Sequence, residues 1–152
     1  MHSSLVDGPE LRADLVEEFC DLARVDSEPY EEADLAEVIE RSLLELGFEV
    51  ERDDAGEKIG GNSGNLIARL PGNGCGDAKP ILLCAHLDRV PPGKGVKPRL
   101  DGDRIYSSGD TVLGADDVAG LVAILAGMRM ARKAQSTLPP LEVAITVCEE
   151  KG

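Results

Sequence analysis

Aromatic side chains are almost absent: the chain has no tryptophan, two tyrosines and two phenylalanines. Its core must therefore be built from Leu, Val, Ile and Ala, and a hydrophobic content of 42% is enough to build one. Basic residues are also scarce, 16 Lys and Arg against 29 Asp and Glu, for a formal charge of −13. That excess repels phosphate backbones and anionic lipid, so neither a nucleic-acid partner nor a membrane partner is expected. No apolar run approaches the roughly 20 residues of a membrane span, and Met1 to Asp14 lacks the charged-then-apolar pattern of a secretory signal. The four cysteines (Cys20, Cys75, Cys84 and Cys148) form no C-x-x-C pair. Cys84 and Cys148 fall in apolar strand segments and are expected to be small buried hydrophobes. Together these absences point to a reduced, cytoplasmic setting.

The 152 residues are one domain's worth of chain. Leu11, Leu15, Phe19 and Leu22 share a helical face and predict a helix from about Pro9 to Arg24. Asp26-Ser27-Glu28-Pro29 reads as a turn. A second helix buries Leu35, Val38, Leu43 and Leu46, has acids in its first turn and closes at Gly47. Phe48 to Glu51 alternates as a strand, and Asp53 to Asn65 is a polar, glycine-rich connection. Leu66 to Leu70 is another strand. Ile81 to Ala85, short and continuously apolar, predicts a strand covered on both faces that carries His86 and Asp88 at its end. Val96 to Ser108 forms a ribbon around Asp101-Gly102. Asp117 to about Lys133 is the most regular helix, and Leu141 to Cys148 is the last strand. The order α-α-β-β-β-(ribbon)-α-β implies an α/β fold with a mixed β-sheet flanked by helices.

Three clusters could carry chemistry: His86-Leu87-Asp88, Gly114-Ala115-Asp116-Asp117 and Glu149-Glu150. Each lies just past a strand or just before a helix, where open α/β sheets bind ligands. Taken singly, each has a plain reading. His86 alone is more often structural, one of the two aspartates is an N-cap, and the two glutamates are solvated surface charges. Their joint occurrence makes the case for a metal site, with Glu149 and Glu150 expected on opposite sides of an extended strand end. Other patterns fall short. Gly93-Lys94-Gly95 lacks the spacing of a phosphate loop, and Gly60 to Gly64 opens no helix after a strand. Asp101-Gly102-Asp103 fails the EF-hand pattern at Ile105, and no Gly-x-Ser-x-Gly elbow is present.

His86-Leu87-Asp88, Gly114-Ala115-Asp116-Asp117-Val118-Ala119-Gly120 and Cys148-Glu149-Glu150-Lys151-Gly152 resemble the H-x-D, G-x-D-D-x-x-G and E-E-x-G signatures of co-catalytic zinc aminopeptidases and deacylases. Leu113-Gly114-Ala115-Asp116-Asp117, Arg24-Val25-Asp26-Ser27 and Leu46-Gly47-Phe48-Glu49-Val50 are similar to the peptidase T-like tripeptidases within that family. The resemblance implies that His86 binds one zinc, Asp116 bridges two and Glu150 binds the second. It also implies that Glu149 is the general base and that Asp88 steadies the His86 ring. Cobalt or manganese would suit the same donors. The implied substrate is a short peptide, with an N-acyl amino acid as the alternative, and the implied assembly is a homodimer through a separate lid domain. Arg89, Val118 and Cys148 depart from the family pattern and are expected to bear on substrate preference. The only other histidine is His2, so each zinc would have two protein ligands where catalytic sites take three. Residues 1–152 thus read as the N-terminal part of a metallopeptidase catalytic domain, truncated before its remaining ligands. On its own such a piece is expected to be inactive, or to serve as a non-catalytic interaction module.

Overall fold

The structure, a computed structural model, describes residues 8–152; His2 lies outside the described residues. The elements are α1 (Pro9–Arg24), α2 (Ala33–Glu45), β1 (Glu49–Arg52), α3 (Ala55–Ile59), β2 (Leu66–Leu70), β3 (Ile81–His86), β4 (Pro98–Asp101), β5 (Arg104–Ser107), α4 (Ala115–Lys133) and β6 (Leu141–Thr146), followed by a 3₁₀ turn (Glu149–Lys151). Four strands make a mixed sheet in the order β1-β2-β6-β3, antiparallel except for the parallel β3–β6 pair. β4 and β5 form a separate antiparallel ribbon.

Local chemistry explains the helix boundaries. Pro9 starts α1, where a missing N–H costs nothing. α2 ends before Gly47, whose φ of +82° is the left-handed geometry that glycine adopts without a Cβ penalty. Arg132 near the end of α4 donates to the carbonyl of Glu45, so a cation sits on the negative end of α2. The helix α3 falls inside the expected polar connection. Its five residues carry no apolar periodicity; the Asp53 carboxylate accepts from the Ala55 amide and nucleates the turn.

The core lies between the helices and one face of the sheet. Leu35, Ile39 and Leu43 of α2, Leu121 and Leu125 of α4, and Leu66, Ala68, Val143 and Ile145 of the sheet are all essentially inaccessible. The opposite face is open. There Arg69 lies 3.6 Å from Glu51 and 3.9 Å from Glu142 across neighbouring strands.

This open face corrects the expectation for Ile81 to Ala85. β3 is an edge strand, and only Ala85 and His86 of it are buried. Leu82 pairs with Glu142 and Cys84 with Ala144, which places both on the open face. Leu82 is 58% exposed, and Cys84 is exposed rather than a buried hydrophobe. Cys148 is likewise not a strand residue: it follows β6 in a left-handed turn at φ +54° and is half-buried.

An unpaired edge with exposed Ile81 and Leu82 is a template for strand addition. The chain is expected to self-associate as its concentration rises, and Leu82→Lys to restore the monomer. Static light scattering that shows a monomer at every concentration for the parent chain would refute this.

Candidate metal centre

The parallel strands β3 and β6 end side by side, His86 opposite Thr146, and the N-terminus of α4 faces the same end of the sheet. The three sequence clusters meet there. His86 is buried. Its Nδ1 lies 2.9 Å from the carbonyl oxygen of Asp88, and since a carbonyl only accepts, Nδ1 carries the proton. Nε2 is left to face the carboxylates, with Asp116 Oδ1 at 3.0 Å and Glu149 Oε2 at 3.9 Å. Burial pushes the His86 pKa down, but the Asp116 hydrogen bond and the charge of Asp88 outweigh it, so the ring titrates above its usual value.

The two aspartates of α4 divide the work between them. Asp117 is the N-cap: its Oδ1 accepts from the Gly120 amide at 2.9 Å, and helical geometry begins only after it. A Cβ on Gly120 would sit 2.3 Å from that oxygen, so the cap needs glycine three residues on. Asp116 is thereby freed to meet His86, with its side chain 85% exposed.

Glu149 and Glu150 do not alternate on a strand end. They lie in the 3₁₀ turn, and the buried Asp88 holds that turn in place. Asp88 Oδ1 accepts from the Glu149 amide (2.9 Å) and Oδ2 from the Glu150 amide (3.0 Å). The Asp88 carboxylate also lies 3.4 Å from His86 Nδ1, so one side chain ties the ring to the turn. One donor atom each from His86, Glu149 and Glu150 lies within 4.8 Å of the others.

Arg89, expected to bear on substrate preference, instead points into the fold. It is 1% exposed and donates to the carbonyls of Ala23 and Val25 at the end of α1. Its guanidinium pKa is lowered by burial and partly restored by Asp26 and Glu28. The segment after α1 docks on the strand end through Ser27 Oγ, which donates to the Leu87 carbonyl. Two residues absent from the sequence reading also bear on the site. Asn65 Oδ1 accepts from the Val147 amide, and the buried Glu32 accepts from the Cys148 amide. Glu32 stands in a run of acids before α2, where a carboxylate looks like a solvated helix start, so no sequence signal marks it.

The donor set fits a divalent cation. Nε2 donates to Asp116 only while the ring is protonated. Once that proton leaves, a neutral nitrogen faces carboxylates, an arrangement that a cation between them makes attractive, and mixed nitrogen and oxygen donors suit zinc, cobalt and manganese.

Comparison with known proteins shows the family of the chain. The model of peptidase family M28 matches residues 65–152, more than half of the chain. The uncharacterised protein YqjE of Bacillus subtilis is 38% identical over 91% of this chain and 37% of its own length. The crystal structure of aminopeptidase PepT from Bacillus cereus superposes with a TM-score of 0.89 and 39% identity, over 93% of this chain and 38% of that one. A tripeptidase from Staphylococcus aureus gives 0.86 and 32%, over 91% and 37%. The chain therefore spans less than half the length of these relatives. It belongs to peptidase family M28 and is similar to the peptidase T-like aminopeptidases.

Proposed function

We propose that residues 1–152 form the N-terminal part of the catalytic domain of a metal-dependent peptidase that hydrolyses short peptides in the cytoplasm. The observation that carries this reading is the convergence of Asp116 and Glu149 on one ring nitrogen of His86, with Glu150 beside them. His86, Asp116 and Glu150 would hold a pair of divalent cations, zinc first. The cations supply polarisation of the scissile carbonyl and acidification of the attacking water. Glu149, 59% exposed at the mouth of the site, takes the proton from that water and returns it to the leaving amine. Asp88 keeps the His86 ring and the Glu149–Glu150 turn in register.

Hydrolysis of an unblocked tripeptide by the native polypeptide tests this. Glu149→Gln keeps the shape but not the basicity. It is expected to lower kcat by roughly 10²–10⁴-fold, the usual range for a general base, with metal content unchanged. Full activity in that variant, or no loss on chelation, would sink the proposal. Preferential turnover of N-acyl amino acids would move the substrate class to deacylation.

A further inference from the structure

Side chains from three distant segments hold four consecutive backbone amides after β6. Asn65 takes the amide of Val147, Glu32 that of Cys148, and Asp88 those of Glu149 and Glu150. Glu32 is the unexpected member. It is 0% exposed and precedes α2 without capping it through its side chain. Its Oε1 accepts from the Cys148 amide at 3.0 Å and from Cys148 Sγ at 3.3 Å, while Oε2 has no partner among the described residues. Burying a carboxylate with one oxygen unpaired is unfavourable. The residue it holds is also unfavourable, because Cys148 has a Cβ and yet a left-handed φ of +54°. That left-handed step turns the chain out of β6 into the 3₁₀ turn that presents Glu149 and Glu150.

We infer that Glu32 is a positioning residue for the candidate metal centre: by gripping Cys148 it fixes the direction in which Glu149 and Glu150 point at His86. This rests on the metal-centre reading given above. The grip needs an acceptor at the reach of Oε1; it does not need charge.

Three variants of the full chain separate this from simple stability. Glu32→Gln keeps the acceptor, Glu32→Met keeps the volume without it, and Glu32→Asp keeps the charge but shortens the reach. Calorimetric titration with zinc chloride is expected to show affinity about tenfold weaker for Met and Asp, the lower end for lost outer-shell partners. Gln is expected within about threefold of the parent chain on the same reasoning. Amide hydrogen exchange of the metal-free chains is expected to rise at residues 148–150 in Met and Asp while β6 stays protected. Unchanged affinity or unchanged exchange in those variants overturns the inference, as does a Gln variant as weak as Met. If Met does not fold, Asp carries the same comparison. A parent chain that binds no zinc refutes the metal reading instead, and the exchange data still decide whether Glu32 holds the turn.

Discussion

Replacing Asp88 with alanine is expected to lower the melting temperature by roughly 6–16 °C, at about 2–4 °C per kcal/mol for a chain of this size. Asp88 is 1% exposed, and both of its oxygens are engaged, each accepting from one amide of the Glu149–Glu150 turn. Hydrogen bonds to a charged group contribute about 1.5–3 kcal/mol each. Two of them, discounted because Glu149 itself reaches water, give roughly 3–4 kcal/mol. Asp88→Asn keeps one acceptor but opposes an NH₂ group to the other amide, so it is expected to lose about as much as one bond contributes. The backbone carbonyl of Asp88, which holds His86 Nδ1, survives both substitutions. The ring should therefore keep its Nδ1 hydrogen bond, losing only the carboxylate 3.4 Å away, while the turn loosens. Thermal unfolding followed by circular dichroism decides it: an Asp88→Ala midpoint within 2 °C of the parent, well under the roughly 6 °C expected, would show that the turn holds itself.

The site was legible to the extent that it obeys sheet topology. His86 and Glu149 are far apart in sequence, but β3 and β6 run parallel, so their C-terminal ends coincide. The α4 start faces the same end for the same reason. The helix α1 and the strand β2 have the expected bounds, because apolar spacing alone specifies them. Burial was less legible. The run Ile81 to Ala85 looks the same whether it lies inside a sheet or at its edge, since the difference depends on which other strand sits beside it. Cys84, in the same run, is exposed for the same reason. The division between Asp116 and Asp117 is set by local folding, because the bond from the Gly120 amide to Asp117 frees its neighbour. Glu32 and Asn65 were invisible for a deeper reason: each acts on a backbone amide, and a backbone amide leaves no mark in the sequence.

The second large effect is on metal binding. His86→Ala is expected to lower the affinity of the chain for zinc by roughly 10²–10³-fold, with binding through Asp116 falling similarly in Asp116→Ala. The arithmetic is simple. Structural zinc sites with four ligands bind with about 10–16 kcal/mol, so each ligand contributes roughly 3 kcal/mol, or a factor of about 10². His86 is the one nitrogen donor in the cluster, and its Nε2 is the atom that faces Asp116 and Glu149. On the proposed reading, with His86, Asp116 and Glu150 shared between two cations, each would have about two protein ligands, so the chain itself is expected to bind zinc only at tens of micromolar, from about 6 kcal/mol. The exposed thiol of Cys84 and the half-buried Cys75 are competing soft donors. The titration therefore belongs in a Cys75→Ser, Cys84→Ser background, with Lys151→Ala as a control on the same turn. Loss of binding in His86→Ala and Asp116→Ala but not in Lys151→Ala would show that the strand end is already organised as a half-site by Asp88 and its neighbours. Equal zinc binding by all four chains would place the metal elsewhere, and the proximity of His86 to its carboxylates would then be an ion pair that supports the fold.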